Sequence, residues 1–460
     1  MPAEKVEPPP VPLRRGIPFL PLFGKYFNTT QLLNSLSLSL LWAVPLILRL
    51  PFYPAPSPLF FQLLSLFFLI IGIGGVWKWH FSPFWWGFGV GVLWFHWVGF
   101  SFIYYGFWYL VPVVIVGLGV GYGVVFWLVG KVIKLLSHPL PLRLHFWVKG
   151  GGWGFFWIFL LPLFSPFTFN WLQFTPLLAT TPLPPSPAVA LLVWLGSGFL
   201  VASPPKLRPV GLISLLIPFW WPTPPLLPSP PLKISLLSTN IPQSVKWDKR
   251  FIPTEITILL REIGGRLEGG ADLVVTPETA FPLPLNRYPQ LMERLAQLSH
   301  RGAILVGALY EKGGKFYNVG YLFDDGRITI LKKHLLVPFG EYIPLPFLQK
   351  EINKIFFGNS ADFTPARYFA QFVLKGVSFI QAICYEVTSP SLYSLPPHYV
   401  VALTNNGWFF LPGSEKSLEP ILQQLLIIGY SFNSGKMVYH TTNFSGAYVV
   451  NRGRIVEVEE

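Results

Sequence analysis

Seven apolar runs, separated by short segments that contain Pro, Gly or a charge, occupy the first half of the chain. A transmembrane helix needs about 20 predominantly apolar residues, and most of these runs approach that length. We predict membrane spans at Gln31–Leu50, Leu59–Trp77, Phe84–Ile103, Leu110–Gly130, Gly151–Phe169, Ala188–Ala202 and Val210–Trp221. Trp and Tyr lie at several of their ends, as is typical of membrane interfaces. The pattern therefore indicates a membrane bundle rather than a large buried soluble core.

The second half of the chain, from Lys233 onward, alternates short β-rich runs with helical runs. Such alternation indicates an α/β domain with a layered sheet. Predicted strands cover Ile234–Ser238, Leu273–Thr276, Ile304–Ala308, Val319–Phe323, Ile328–Leu331, Val377–Ile383, Tyr399–Thr404, Val438–Thr442 and Ala447–Val450. Predicted helices cover Thr254–Ile263, Arg287–Ser299 and Ser414–Tyr430.

A proline-rich segment at residues 222–231 separates the two halves. It reads PTPPLLPSPP, which predicts a stiff, extended spacer that holds the following domain at the membrane surface. We therefore divide the chain into a transmembrane helical bundle of seven spans (1–221), a linker (222–232) and an α/β domain (233–460).

Composition supports this division and excludes several classes of protein. Hydrophobic residues make up 52% of the chain and charged residues 12%, which excludes a disordered chain and an entirely soluble enzyme. A single cysteine excludes a disulfide scaffold, a zinc cluster and an iron–sulfur site. No Asp or Glu occurs from Pro8 to Trp247, so any carboxylate chemistry must come from the second half. We expect no metal and no cofactor.

The positive charges predict how the bundle is oriented. They lie before the first span (Arg14, Arg15, Lys25) and after the second (Lys78), fourth (Lys131, Lys134, Arg143, Lys149) and sixth (Lys206, Arg208). The odd-numbered loops contain only Arg49. Because cytoplasmic loops carry an excess of Lys and Arg, this pattern places the N-terminus in the cytoplasm and the second half on the opposite side.

No cleavable signal is recognised before the first span. Because the net charge of +13 sits beside apolar runs and not on a basic stripe, we expect no nucleic-acid partner.

Three polar residues follow β-rich runs directly: Glu278, Lys333 and Cys384. In α/β sheets, side chains at strand ends point into the crevice where ligands bind. A free thiol has a pKa of about 8.5, so a nucleophilic cysteine needs a base to take its proton or a cation to lower its pKa. A charged lysine also stabilises the oxyanion of a tetrahedral intermediate. Glu, Lys and Cys together therefore form a coherent candidate site for acyl chemistry.

Each of the three residues has a simpler interpretation. A lone Cys384 is often a small buried hydrophobe. Glu278 is compatible with a carboxylate at the start of a helix, where the helix dipole favours negative charge. Lys333, beside Lys332, is compatible with a solvated hairpin end. The residue types by themselves leave these alternatives open.

The segments around these residues are much more specific. They read Asn240-Ile-Pro-Gln-Ser-Val-Lys-Trp247, Thr276-Pro-Glu-Thr-Ala-Phe-Pro282, Lys333-His-Leu-Leu-Val-Pro-Phe-Gly-Glu-Tyr-Ile-Pro344, Ile383-Cys-Tyr-Glu386 and Thr404-Asn-Asn-Gly-Trp-Phe409. In this order, after a multi-span membrane half, they closely resemble the apolipoprotein N-acyltransferase family. The resemblance covers nearly the whole chain, at the level of motifs in the second half and of architecture in the first.

The resemblance implies a nitrilase-like (carbon–nitrogen hydrolase) αββα sandwich after the membrane bundle. It implies that Cys384 is a nucleophile that carries an acyl chain as a thioester, that Glu278 is the general base, and that Lys333 stabilises the tetrahedral intermediates. Supporting or substrate-binding residues implied by the same motifs are Trp247, Glu341, Tyr385 and Glu386. Glu341 is expected to act electrostatically, and Tyr385 and Glu386 to shape the pocket around the thiol.

The implied substrates are two lipids. The acyl donor is a phospholipid, and the acceptor is the N-terminal amine of a diacylglyceryl-cysteine on an apolipoprotein. The implied location is the bacterial inner membrane, with the catalytic domain facing the periplasm, and this agrees with the orientation that the charges predict. Aromatic and aliphatic residues near the motifs are expected either to line an acyl entrance or to pack in the core: Phe339, Tyr342, Ile343, Leu345, Phe347, Phe356, Phe357, Trp408, Phe409 and Phe410. We favour Tyr342–Phe347 and Phe409–Leu411 as mobile, lipid-facing arms.

The chain departs from the family pattern in places. The family usually has one more membrane span after the position where this sequence ends, at Glu460. It usually has an Asp-containing version of Asn405-Asn406-Gly407-Trp408, and an Arg at the position of His440. These differences put in doubt how the predicted helix Ser414–Tyr430 docks.

Two other functions stay open at this point. A membrane-anchored amidase or nitrilase would use the same Glu-Lys-Cys site and pass its acyl group to water. A transporter or receptor would use the second half only to bind a ligand, although the first half lacks the membrane carboxylates that ion relays usually use.

Overall fold

The computed structural model describes residues 28–137, 142–163, 169–343 and 362–459. The first half consists of helices and their connecting loops. Its α-helices are α1 (Thr29–Arg49), α2 (Leu59–Lys78), α3 (Pro83–Phe95), α4 (Trp97–Tyr104), α5 (Val111–Ser137), α6 (Leu142–Phe155), α7 (Phe174–Leu177), α8 (Pro187–Ala202) and α9 (Arg208–Leu216). Single 3₁₀ or π turns lie at Trp108–Leu110, Phe156–Leu160, Leu161–Leu163, Leu178–Thr180, Pro205–Leu207 and Ile217–Trp220.

Apart from the fifth, each predicted span overlaps one of these helices or, for the third span, the pair α3 and α4. The helices α1, α2 and Trp108–Ser137 are each long and apolar enough to cross a membrane. The pair α3 and α4, bent by 48°, meets the same criterion as one broken span. The helices at the predicted sixth and seventh spans, α8 and α9, are shorter. The fifth predicted span begins inside α6, and residues 164–168 of it lie outside the described residues.

Indole rings and glycines build the interior of the bundle. The ring of Trp42 stacks on that of Trp157 with centroids 4.3 Å apart, and lies 5.8 Å from the ring of Trp86. A Cβ added to Gly87 of α3 would lie 2.5 Å from the main-chain oxygen of Tyr122 in α5, so only glycine permits this approach. Close backbone approach suits helices in lipid, where packing rather than the hydrophobic effect drives association.

The second half contains two sheets and five helices among its described residues. The helices are α10 (Gln243–Lys246), α11 (Ile252–Glu268), α12 (Pro289–Leu298), α13 (Pro390–Tyr393) and α14 (Glu419–Ser434). The strands are β1 (Ile234–Leu236), β2 (Leu273–Val275), β3 (Phe281–Pro284), β4 (Ala303–Lys312), β5 (Lys315–Asp324), β6 (Arg327–Lys332), β7 (Gln371–Leu374), β8 (Val377–Ile383), β9 (Tyr399–Asn405), β10 (Met437–Asn443), β11 (Ala447–Asn451) and β12 (Arg454–Glu459). The first sheet has the order β1-β2-β4-β5-β6 with β3 beside β4, and the second has the order β12-β11-β10-β9-β8-β7.

The buried side chains show that the two sheets lie face to face between helices. One hydrophobic cluster joins residues of both sheets, such as Val275 and Val401. A second cluster joins α11 and α12 to the outer face of the first sheet, and a third joins α14 to the outer face of the second. The predicted αββα sandwich is therefore confirmed.

The nine predicted strands and three predicted helices of this half all fall on observed elements. The sequence does not predict β3, β7 or β12. The segment of β3 reads FPLP. Proline has no backbone N–H to donate to a neighbouring strand, so the sequence pattern does not indicate a strand there. The other two are the edge strands of the second sheet, where a short or charged sequence is typical because it blocks unwanted pairing.

The proline-rich linker is extended but is not a free spacer. The Asn451 side chain makes two hydrogen bonds to the main chain of Leu227. It accepts from the N–H of Leu227 at 2.9 Å and donates to the carbonyl of Leu227 at 2.8 Å. The hydroxyl of Tyr399 donates to the carbonyl of Pro228 at 2.8 Å. The second sheet therefore holds the linker, and this contact sets where the α/β domain lies relative to α9.

Helix α14 is the main contact between the two halves. Its outer residues, including Leu422 and Leu426, pack in one cluster with residues of the membrane half. At the end of α1, Arg49 donates to Oε1 of Gln424 at 2.6 Å. On the sheet side, the Asn406 side chain donates to Oε1 of Gln423 at 3.3 Å. Asn406 thus helps to dock this helix, although its segment departs from the family pattern.

Candidate active site

Three loops from the two sheets meet at one buried point. Glu278 follows β2, Lys333 follows β6 and Cys384 follows β8. The Lys333 amine lies 3.4 Å from Oε1 of Glu278 and 2.7 Å from Oε2 of Glu341. The Lys333 side chain is 1% exposed and Cys384 is 8% exposed. Lys333 is therefore not a solvated hairpin end, and the structure assembles the predicted Glu and Lys residues into one cluster beside the thiol.

The backbone at Glu278 and at Cys384 adopts unusual conformations. Thr279, which follows Glu278, has φ +48°, and Cys384 has φ +52°. Non-glycine residues occupy this region at a cost, and such residues concentrate at functional sites. The turn at Glu278 leads into β3 rather than into a helix, so Glu278 is not a helix-start carboxylate. A Cβ on Gly307 of β4 would lie 2.2 Å from the Pro277 carbonyl oxygen, so glycine is needed there for the turn to approach.

Hydrogen bonds fix both oxygens of the Glu278 carboxylate. The Asn318 amide donates to Oε1 at 2.7 Å, and the main-chain N–H of Asn405 donates to Oε2 at 3.0 Å. The same Asn318 amide donates to Oε1 of Glu341 at 2.8 Å. Asn318 and Lys333 together bridge the two carboxylates and keep them close in spite of their like charges. The sequence offers no signal for Asn318, which lies inside β5.

The lysine at this position remains protonated. Burial alone would lower the pKa of Lys333, but the charges of Glu341 and Glu278 outweigh burial and hold that pKa above its usual value. A permanent ammonium can donate hydrogen bonds to a developing oxyanion, which is the property that such chemistry needs.

The thiol, in contrast, rests in its neutral form. Burial raises the pKa of Cys384, and the nearby Glu278 carboxylate raises it further, while Lys333 acts in the opposite direction. A thiol in this environment is a poor nucleophile until a base takes its proton. Glu278, held by two donors within the same cluster, is the candidate for that base.

Glu386 links the turn that begins at Cys384 to the loop that carries Lys333. Its Oε1 accepts from the main-chain N–H of His334 at 2.6 Å and of Leu335 at 3.1 Å, and its Oε2 accepts from the N–H of Ile383 at 2.7 Å. Burial raises the pKa of Glu386 to about 7, and Lys333 and these N–H donors oppose the rise. All three donors are main-chain N–H groups, so Glu386 orders the backbone beside Lys333 and beside Cys384.

Tyr385 faces the membrane half. Its ring lies parallel to those of Phe169 and Trp171, at centroid distances of 6.4 and 6.5 Å. The Trp171 indole N–H donates to Oγ1 of Thr388 at 2.9 Å, and that hydroxyl donates to the Tyr385 carbonyl at 2.8 Å. The turn that begins at Cys384 is thus held from the membrane side by a residue that the sequence does not single out.

We expect Trp171→Phe to lower the midpoint of thermal unfolding by roughly 3–6 °C, since a buried hydrogen bond is lost while an aromatic ring is kept. The measurement is intrinsic-fluorescence melting of the purified protein in detergent. Trp220→Phe is the matched control, because Trp220 is 77% exposed, and it should change the midpoint by no more than about 1 °C. Equal shifts in the two variants would show that the Trp171–Thr388 contact adds nothing.

Trp247 stands apart from the other predicted site residues. It follows α10 directly and is 38% exposed. Within the described residues, no hydrogen bond of the Glu278–Lys333–Glu341 cluster involves its indole. The residue before it, Lys246, enters the site instead: its amine donates to the carbonyl of Glu278 at 3.0 Å.

The predicted acyl-entrance residues divide into several groups. Leu345, Phe347, Phe356 and Phe357, and with them most of the arm Tyr342–Phe347, lie outside the described residues. Ile343 and Phe410 are buried, while Phe339 and Leu411 are exposed. The ring of Trp408 stacks on Tyr105 at 5.1 Å, and that of Phe409 lies 5.0 Å from Trp97. Trp408 and Phe409 therefore contact α4 and the turn that follows it, which belong to the membrane half.

Comparison with known proteins finds relatives that span both halves of the chain. The family model described as the apolipoprotein N-acyltransferase integral membrane domain matches residues 29–220. The apolipoprotein N-acyltransferase of Wolinella succinogenes is 36% identical over 91% of this chain and 96% of its own length. That of Helicobacter pylori is 34% identical over 79% of this chain and 82% of its own length. Among solved structures, an amidase of the nitrilase superfamily from Nesterenkonia AN1 aligns with a TM-score of 0.37 and 16% identity, over 51% of this chain and 88% of that protein.

Proposed function

Since this chain belongs to the apolipoprotein N-acyltransferase family, we propose that it moves an acyl chain from a phospholipid, through a thioester on Cys384, to the N-terminal amine of a diacylglyceryl-cysteine lipoprotein. The protein is an acyltransferase of lipoprotein maturation. The observation that carries it is the buried Lys333 amine, 3.4 Å from Glu278 and 2.7 Å from Glu341, beside the only cysteine of the chain.

In the first half-reaction, Glu278 takes the thiol proton and the sulfur of Cys384 attacks the ester carbonyl of the phospholipid. Lys333 donates hydrogen bonds to the oxyanion that forms. When the tetrahedral intermediate collapses, the carbon–oxygen bond breaks and the lysophospholipid alkoxide takes the proton from Glu278. The enzyme is left with a thioester on Cys384.

In the second half-reaction, the neutral amine of the lipoprotein attacks the thioester carbonyl and Glu278 takes a proton from the amine nitrogen. The carbon–sulfur bond then breaks, the amide is released and the thiolate takes the proton back from Glu278. An N-terminal amine has a pKa near 7.7–8.0, so a useful fraction is neutral at pH 7. The same base and the same oxyanion donor serve both steps.

The supporting residues act through Glu278, Lys333 and Cys384. Glu341 keeps Lys333 charged, since its Oε2 lies 2.7 Å from the amine. Glu386 orders the turn of Cys384 through three main-chain donors. Tyr385 offers an aromatic wall beside the thiol, and the partly exposed Trp247 contacts lipid or acceptor at the edge of the site.

The site needs direct access from the bilayer, because burying each CH₂ is worth about 0.8 kcal/mol and a phospholipid is too costly to extract into water. The chain is a multi-pass membrane protein. We place it in the bacterial inner membrane, with residues 1–221 as the bundle, 222–232 as the linker and 233–460 as a catalytic domain in the periplasm. The alternation of Lys and Arg between loops and the contacts of segment 408–411 with α4 support this arrangement.

Phospholipid alone should add the mass of one acyl group to the purified enzyme, and this acyl-enzyme should persist. Adding a diacylglyceryl lipopeptide should discharge it and yield the N-acylated peptide, whereas the same peptide with a blocked N-terminus should not. Intact-mass spectrometry follows both steps. Continuous release of fatty acid without any acceptor would instead support the amidase-like hydrolysis that the family relationship disfavours.

A further inference from the structure

Lys246 is a second buried lysine in the site, and the mechanism above does not use it. Its side chain lies at the end of α10 and is 2% exposed. Its amine donates to the main-chain carbonyl of Glu278 at 3.0 Å, and the Glu278 carboxylate and the Cys384 sulfur act on it electrostatically.

The segment that carries Lys246 reaches Glu278 from two directions. Gln243, one turn earlier on α10, accepts from the Asn405 side chain at 3.2 Å. The main-chain N–H of Asn405 in turn donates to Oε2 of Glu278 at 3.0 Å. One short helix thus supports the carboxylate of Glu278 through Asn405 and its carbonyl through Lys246.

A buried lysine is an energetically unfavourable donor for a hydrogen bond to one carbonyl. Burying an ammonium carries a much larger desolvation penalty than burying a neutral amide side chain, which would make the same hydrogen bond. Burial lowers the pKa of Lys246 to about 7, and Glu278 and Cys384 oppose this shift. Negative charge beside the amine therefore favours its protonated form.

We propose that Lys246 is a positioning residue for the reaction: its ammonium fixes the turn of Glu278 and supplies a second positive charge facing the Glu278–Cys384 pair. The inference rests on the proposed roles of these two residues. Burial and the charges of Glu278, Glu419 and Glu341 raise the pKa of the Cys384 thiol, whereas Lys333 lowers it. Lys246 and Cys384 also interact electrostatically. With Lys333 already paired to two carboxylates, protonated Lys246 supplies further positive charge that favours removal of the thiol proton.

The single cysteine makes the proposal directly testable, because alkylation of the whole enzyme by iodoacetamide reports on Cys384 alone. We expect Lys246→Met to move the midpoint of the pH–rate profile upward, by on the order of one pH unit, since a nearby cation favours the thiolate. Lys246→Arg should return the midpoint towards that of the wild type. Lys249→Met, which removes an exposed charge three residues away, should leave it unchanged.

A slower alkylation with an unchanged midpoint would show a purely structural lysine and overturn the proposal, as would an unchanged profile. If Lys246→Met does not fold, Lys246→Gln gives the same comparison, because it keeps an N–H donor and lacks the charge. Thioester formation by the wild-type enzyme is measured in the same preparation. Its absence would overturn the proposed function itself, whereas a normal thioester with an unshifted variant profile would overturn only the role of Lys246.

Discussion

Cys384→Ser will abolish the acyl-enzyme and lower N-acylation of a lipopeptide by at least about 10³-fold. The serine hydroxyl has a far higher pKa than a thiol, and burial makes ionisation harder still, as it already does for Cys384. The Glu278 carboxylate is too weak a base to remove the proton of this serine hydroxyl at a useful rate. The variant replaces a single sulfur atom by oxygen, so its fold should be intact.

The measurement is intact mass after incubation with phospholipid, followed by product formation when the lipopeptide is added. Cys384→Ala is the companion variant, and its melting midpoint should match that of the wild type within about 2 °C. An acyl adduct on Cys384→Ala would place the acyl carrier at another residue, and a stable ester on Cys384→Ser would contradict the expected loss of acylation. Because the chain holds one cysteine, no second thiol can take over the reaction and obscure the result.

Lys333→Met will have an effect of similar size and will also destabilise the protein. It removes the oxyanion donor, which typically costs about 10²–10³-fold in rate. It also leaves Glu278 and Glu341 facing each other, joined only through Asn318, and breaking a buried ion pair costs about 3–5 kcal/mol. Both acylation of Cys384 and the melting midpoint should therefore fall.

The neighbouring lysine provides the control for this substitution. The Lys332 amine lies 3.8 Å from the ring centroid of Tyr317, away from the cluster, so Lys332→Met should change the rate of acylation by no more than a few-fold. Acylation kinetics by mass and thermal melting are measured for both variants. Normal acylation in Lys333→Met, or equal losses in the two variants, would contradict the role assigned to Lys333.

Much of the architecture follows from patterns of short range. Apolar runs of span length, and the absence of carboxylates from Pro8 to Trp247, separate a membrane half from an α/β half. Short β-rich runs locate the central strands, which are buried along nearly their whole length. The pattern fails at β3, β7 and β12, where prolines or an edge position weaken the local signal.

The candidate site is partly visible in the sequence. Glu278, Lys333 and Cys384 stand at strand ends within specific motifs, and Glu341 and Glu386 lie in the same motifs. Their spacing along the chain says nothing about distance, since more than 100 residues separate Glu278 from Cys384. The roles of these residues stay predictions until the variants are measured.

By itself, the sequence determined the two-part organisation, the αββα class, the family and the loops that carry the chemistry. These depend on composition, local periodicity and short motifs. Only the tertiary structure decided that Asn318 bridges two carboxylates, that Lys246 enters the site while Trp247 stays at its edge, and that Trp171 holds the nucleophile turn from the membrane half. Each of these contacts joins residues far apart in the chain, and the packing of the two sheets and of α14 against the bundle decides which distant side chains meet.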